Sequence, residues 1–116
     1  MAITNATIGA THAAIYTSSG NNAITTVIVC NTATYNPSNP TSGLVNLTLH
    51  AVPNGGSASS PAVETTIVNQ LPIPAGETVT FDQEKMVLSN GDMLVAMGSA
   101  TNLVATVSTL DRKSTR

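Results

Sequence analysis

From Met1 to Val63 the chain contains no Asp, Glu, Lys or Arg, and its ten charged residues all fall between Glu64 and Arg116. A free domain carries about 25% charged residues, which keep its surface wet and mutually repulsive; here the share is 9%. A chain so poor in charge is expected to meet other protein over much of its surface. Aromatic residues are nearly missing too, with two Tyr, one Phe and no Trp. The core must therefore be built from Val, Ile, Leu and Ala, and little remains to line a sugar-binding platform. Only four Lys and Arg occur, and Arg112, Lys113 and Arg116 sit together at the end of the chain. With a net charge of −2 there is no basic stripe for phosphate, so nucleic-acid binding is not expected.

Cys30 is the single cysteine, which excludes an intrachain disulfide and a cysteine-based metal site. No apolar run approaches the roughly 20 residues of a membrane span, and no membrane partner is expected. Met1-Ala2-Ile3-Thr4-Asn5 has neither a basic nor an apolar region of the secretory kind. The two sequons, Asn5-Ala6-Thr7 and Asn46-Leu47-Thr48, are what chance supplies in a chain this rich in Asn and Thr.

What the chain does have is 18 Thr among many Ser, Asn and Ala, small side chains that lose little rotamer entropy in a flat contact. At 116 residues it makes one domain. Val45-Asn46-Leu47-Thr48-Leu49-His50-Ala51 alternates without a break, placing Val45, Leu47, Leu49 and Ala51 on one face of a strand. Ala23 to Cys30 is β-branched nearly throughout, which predicts a central strand with both faces covered. Further strands are expected at Val63 to Leu71, Thr78 to Phe81, Asp92 to Met97 and Leu103 to Leu110, with an early one at Ala13 to Tyr16 and a weaker one near Ile3 to Ile8. No segment has a helical period. Asn54-Gly55-Gly56 and Asn90-Gly91-Asp92 supply turn residues with positive φ. Pro72-Ile73-Pro74-Ala75-Gly76 reads as a corner that switches sheets or runs along an edge.

The fold class expected is all-β: a small antiparallel β-sandwich of seven or eight strands, either a jelly roll or an immunoglobulin-like Greek key. Residues 1–12 read as an N-terminal arm, 13–110 as the sandwich and 111–116 as a polar C-terminal tail. Val27, Val29, Val45, Leu47, Leu49, Val95 and Val107 are expected to be buried and to face each other across two sheets.

Catalytic, cofactor-binding and metal residues are not proposed by any constellation. No Gly-x-Ser-x-Gly elbow occurs, and Gly98-Ser99-Ala100 reads as a hairpin turn. His12 and His50 could approach each other, but His50 falls at a polar phase of its strand, as a solvated or interfacial side chain, and His12 lies in the leader. Asp82, Glu84 and Lys85 read as a solvated loop; Met86, Met93 and Met97 read as core fillers, and Cys30 as a small buried hydrophobe at a strand end.

The connector Asn31 to Gly43 is long, polar and uncharged, with Tyr35 at its centre. It is either an arm that pairs with a neighbouring subunit or a hairpin tip. On the first reading the interface residues are Tyr35, Asn36, Pro37, Asn39 and Pro40, joined by Ile3 and Ile8 of the leader and by Tyr16.

Ala14 to Thr17, the strand ending Val29-Cys30-Asn31, the strand Val45 to Ala51, the corner Ile73-Pro74-Ala75-Gly76-Glu77-Thr78, the turn Leu88-Ser89-Asn90-Gly91-Asp92 and the alternating last strand follow one another in an order that resembles small virion structural proteins of tailed bacteriophages, over residues 13 to 110. The resemblance implies a non-enzymatic subunit located in the virion, assembled in the host cytoplasm and repeated by symmetry as a homo-oligomer, a trimer or a ring. Its implied partners are other virion proteins. The favoured role is capsid decoration, as a cement subunit bound to the major capsid protein; the alternatives are a tail, neck or fibre-adaptor subunit and a carbohydrate- or receptor-binding β-sandwich module.

Overall fold

The computed structural model describes residues 2–81 and 86–111. They form nine strands: β1 (Ala2–Ile8), β2 (Ala13–Thr17), β3 (Asn22–Asn31), β4 (Val45–Val52), β5 (Thr66–Ile73), β6 (Thr78–Phe81), β7 (Met86–Leu88), β8 (Met93–Gly98) and β9 (Leu103–Asp111). A single 3-10 turn, Val63–Thr65, precedes β5. The expected solvated loop at Asp82, Glu84 and Lys85 and the tail beyond Asp111 lie outside the described residues.

Two antiparallel sheets result. The first has the order β1-β9-β3-β6 with β7 also on β3, and the second has the order β2-β8-β4-β5. β6 pairs with Val27–Cys30 and β7 with Asn22–Ile24 on the same side of β3, so together they fill one edge position. Counted that way, each sheet is four strands wide. The pairings nest: β1 with β9, β2 with β8, β3 with β6 and β7, β4 with β5. A chain paired in this nested way is a long two-stranded hairpin, bent between β4 and β5 and wrapped around itself, which is the winding of a jelly roll. The β3–β9 and β4–β8 ladders then hold each sheet together.

The winding makes nearly every connection cross between sheets, and it sorts the loops to two ends. At one end the β1–β2, β3–β4, β5–β6 and β8–β9 connections meet. Gly98 N–H donates to the Gly9 carbonyl (2.9 Å), Thr32 N–H to that of Asn102 (2.9 Å) and Gly76 N–H to that of Asn31 (3.0 Å). At the other end Ser18 N–H donates to the Asp92 carbonyl (2.8 Å) and Gly91 N–H to that of Ser18 (2.9 Å). The turns there are the two that Gly was expected to make: Gly55 has φ 95° and Gly91 has φ 88°, values that side chains with a Cβ rarely adopt. The Asp92 carboxylate holds this end together, accepting from Asn54 N–H and Ser89 N–H at 2.9 Å each.

The core is aliphatic, as the lack of aromatics requires. Val27, Val29, Val45, Leu47, Leu49 and Val107 are buried within it beside Ile8, Ile24, Ile73, Leu94, Leu103 and Ala105. Each such Val, Leu or Ile side chain contributes about 1.5–3 kcal/mol by leaving water.

Several expectations are corrected. Within the expected arm of residues 1–12, Ala2–Ile8 is laid down as an edge strand in continuous register with β9. Val95 is buried but opposite His50, on the outer face of the second sheet; Leu94 and Ala96 are the core-facing residues of β8. Met93 and Met97 share that outer face, opposite Val52 and Thr48, and are half-buried, whereas Met86 does pack on the core. β3 is central but covered on one face only, since Val27 and Val29 are buried while Ile28 is exposed. Cys30 follows Ile28 to that outer face and is half-buried. Gly98-Ser99-Ala100 is a crossover between sheets and no hairpin, because β8 and β9 belong to different sheets. The segment from Val63 begins as a 3-10 turn and becomes strand only at Thr66. The Pro72–Gly76 corner does both things expected of it, ending an edge strand and carrying the chain into the other sheet.

Candidate interaction surfaces

On the outer face of the β1-β9-β3-β6 sheet no side chain among the described residues is charged. Its cross-strand rows follow from the register: Thr7, Val104, Cys30 and Thr78 form one, and Asn5, Thr106, Ile28 and Thr80 the next. A further row runs from Leu110 through Ala23 to Val87. Of the eight exposed large apolar side chains among the described residues, five lie on this sheet: Ile3, Ile28, Val87, Val104 and Leu110. Between them stand hydroxyls and amides, some already tied together, as where Thr106 Oγ1 donates to Asn5 Oδ1 at 3.0 Å. A face on which exposed apolar side chains stand among uncharged polar ones is of the kind that protein covers.

The second surface is the β3–β4 loop. Asn31 is fully buried and anchors both its ends. Its Nδ2 donates to the carbonyls of Gly43 (2.8 Å) and Ile73 (2.9 Å), and its Oδ1 accepts from Ala33 N–H (3.0 Å). Gly43 has φ 79°, and a Cβ there would stand 3.0 Å from that of Ala33 and 3.2 Å from that of Ala75, so the loop base closes only on glycine. Beyond it the chain is a series of turns: Asn39 N–H donates to the Asn36 carbonyl, Ser42 N–H to that of Asn39, and Ser38 N–H to Asn36 Oδ1, each at 3.0 Å. Thr34 to Ser42 are exposed throughout, and Tyr35 is half out in solvent beside Pro40, Pro74 and Glu77.

On the outer face of the second sheet the two histidines do meet. Their ring centroids are 5.0 Å apart in an edge-on arrangement. His50 is buried, against the expectation of a solvated or interfacial side chain. Its Nδ1 is 3.0 Å from Thr65 Oγ1 and 3.3 Å from Thr66 Oγ1. Thr65 Oγ1 donates to the Ala62 carbonyl at 2.7 Å. Burial first, and then the neighbouring His12, holds the His50 pKa below its ordinary 6.5. Chemically this is a structural pair. Among the described residues no three His, Cys, Asp or Glu side chains gather closely enough to hold a metal ion.

The eight residues expected at an interface do not form one surface. Tyr35, Asn36, Pro37, Asn39 and Pro40 share the exposed β3–β4 loop. Ile3 is exposed on β1, near the opposite end, where it pairs with Ser108. Ile8 is enclosed in the core at 1% exposure and is removed from any contact surface. Tyr16 is half-buried and its hydroxyl donates to Asn22 Oδ1 at 2.8 Å, so it serves the fold. The exposed apolar residues of the first sheet that the sequence reading does not single out are Ile28, Val87, Val104 and Leu110. Val104 and Leu110 were visible as apolar residues out of phase in the alternation Leu103 to Leu110. Ile28 was hidden inside a run with no alternation to separate its faces.

No protein-family model, no curated protein and no solved structure matches this chain.

Proposed function

We propose that this chain is a non-enzymatic structural subunit that packs against other protein in a symmetric assembly, and that the assembly is the virion of a tailed bacteriophage. Within it the favoured role is decoration of the capsid, with the subunit bridging major capsid proteins; the alternative is a place in the tail, neck or fibre adaptor. One observation carries the reading: an uncharged sheet face holding Ile3, Ile28, Val87, Val104 and Leu110 in the open. The jelly-roll winding supports it as an architecture used in viral shells, although lectins and enzymes share it. The carbohydrate-binding alternative draws no support from the described residues, where Tyr35 is the one exposed aromatic side chain.

The test is composition of the particle. Purified virions are analysed by mass spectrometry with copy-number estimation: a capsid decoration is present in hundreds of copies, a tail or neck ring in about ten. Absence of the chain from virions overturns the reading.

A further inference from the structure

A sandwich of two open sheets has four edges, and three of these are blunted. β5 contains Pro72, which offers no N–H, and it is broken by two register shifts, with Gln70 at φ 53°. β2 is five residues long and carries a register shift between Ala14 and Tyr16. On the edge formed by β6 and β7 the described strands are four and three residues long. Bulges, proline and shortness are the devices by which proteins keep an edge from pairing with other chains. The fourth edge has none of them. β1 runs seven residues, Ala-Ile-Thr-Asn-Ala-Thr-Ile, without charge, proline or glycine, and matches β9 one to one from Ala2 with Thr109 to Ile8 with Leu103. Its other side presents a row of backbone donors and acceptors that pairs with no strand among the described residues.

We propose that β1 is a docking edge for β1 of a second copy of this chain, the two strands running antiparallel about a twofold axis so that the two sheets become one. The absence of charge admits a second copy as the occupant. A twofold contact brings any charge on the strand close to its own symmetry copy, which a charged strand resists and an uncharged one permits. Asn5 carries an amide that both donates and accepts, so on a twofold axis it serves as a partner for its own copy. With the axis at Asn5, Ile3 stands opposite Thr7 on the outer face and Thr4 opposite Ala6 on the inner one. Every side chain keeps its face, and the row Asn5, Thr106, Ile28, Thr80 continues into its copy. The inference rests on the reading of the chain as an assembly subunit and specifies how two copies of it join.

The experiment is analytical ultracentrifugation of the full chain, with Asn5→Lys/Thr7→Lys and Ile28→Lys as variants and circular dichroism on each. The wild type is expected to form dimers. The β1 double variant should stay folded and raise the dimer dissociation constant about tenfold or more, since like charges then stand opposite one another. Ile28→Lys, off the edge, should leave it unchanged. Should the β1 variant fail to fold, Asn5→Cys in a Cys30→Ser background decides: mild oxidation should yield a covalent dimer, and its absence overturns the proposal. A wild type that remains monomeric, or a dimer indifferent to the β1 charges, also overturns it, including the case in which β1 pairs only with a foreign strand. Incorporation into virions is scored separately: normal incorporation without a dimer sinks this inference alone, and a dimer missing from virions sinks the functional reading alone.

Discussion

The His12 ring stands edge-on to His50 at 5.0 Å between centroids, and His50 is buried with its Nδ1 on the hydroxyl of Thr65. This pair joins the β1–β2 connection to the 3-10 turn before β5 across the outer face of the second sheet. Because folding lowers the His50 pKa, the unfolded chain binds a proton first as pH falls. The residue leaves stability untouched above its unfolded value near 6.5; stability then falls as pH drops from there toward the lower folded value, below which the loss levels off. Thermal melts between pH 7.5 and 5 should show this decline, and His50→Gln should flatten it. Equal slopes in wild type and variant would place the pH dependence elsewhere.

Leu47 is fully buried at the centre of β4, opposite Leu71 on one side and Gly98 on the other. Leu47→Ala should cost about 2–5 kcal/mol through lost transfer energy and the cavity left behind. Denaturant unfolding with an unchanged m-value measures it. The neighbouring Thr48→Ala, on the outer face, loses a hydroxyl that accepts from Gln70 N–H at 3.2 Å and should cost less.

Asn31→Ala removes two donors and one acceptor of a fully buried side chain. The carbonyls of Gly43 and Ile73 lose this partner, at about 1–3 kcal/mol for each buried group left unmade. The β3–β4 loop should then open before the sandwich melts, seen as faster proteolysis between Thr34 and Ser42 with the circular dichroism spectrum intact. Cleavage at the wild-type rate would mean that the loop turns hold without their anchor.

Much of the fold could be read from the residues because strand alternation survives without charge. Val45 to Ala51 and Leu103 to Leu110 showed their phase, and Gly55 and Gly91 marked turns that need positive φ. The choice between jelly roll and Greek key was not legible, since it depends on which distant strands pair, as β1 does with β9. Val95 was placed on the wrong face for a related reason: the outer face of the second sheet is buried under His12 and the 3-10 turn, so Leu94, Val95 and Ala96 are all covered and offer no alternation. Of the candidate site, the loop around Tyr35 was visible as a long polar insertion. Of the sheet face, Ile28 was not, because it sits among β-branched neighbours that look alike on both sides.

Deleting Thr34 to Ser42 removes only exposed residues. The shortened chain should keep its strand spectrum, and if the loop contributes to assembly its copy number in particles should fall. Incorporation at the wild-type level would leave the sheet face and the β1 edge as the contacts.

The most direct measurement is the copy number per particle of Ile28→Lys/Val104→Lys, a variant that places two charges on the open face of the first sheet without touching the core. The expected result is a folded, soluble protein with an unchanged melting temperature that is largely lost from purified virions. A folded variant incorporated at the wild-type copy number would contradict the assignment of that face as the surface buried in assembly.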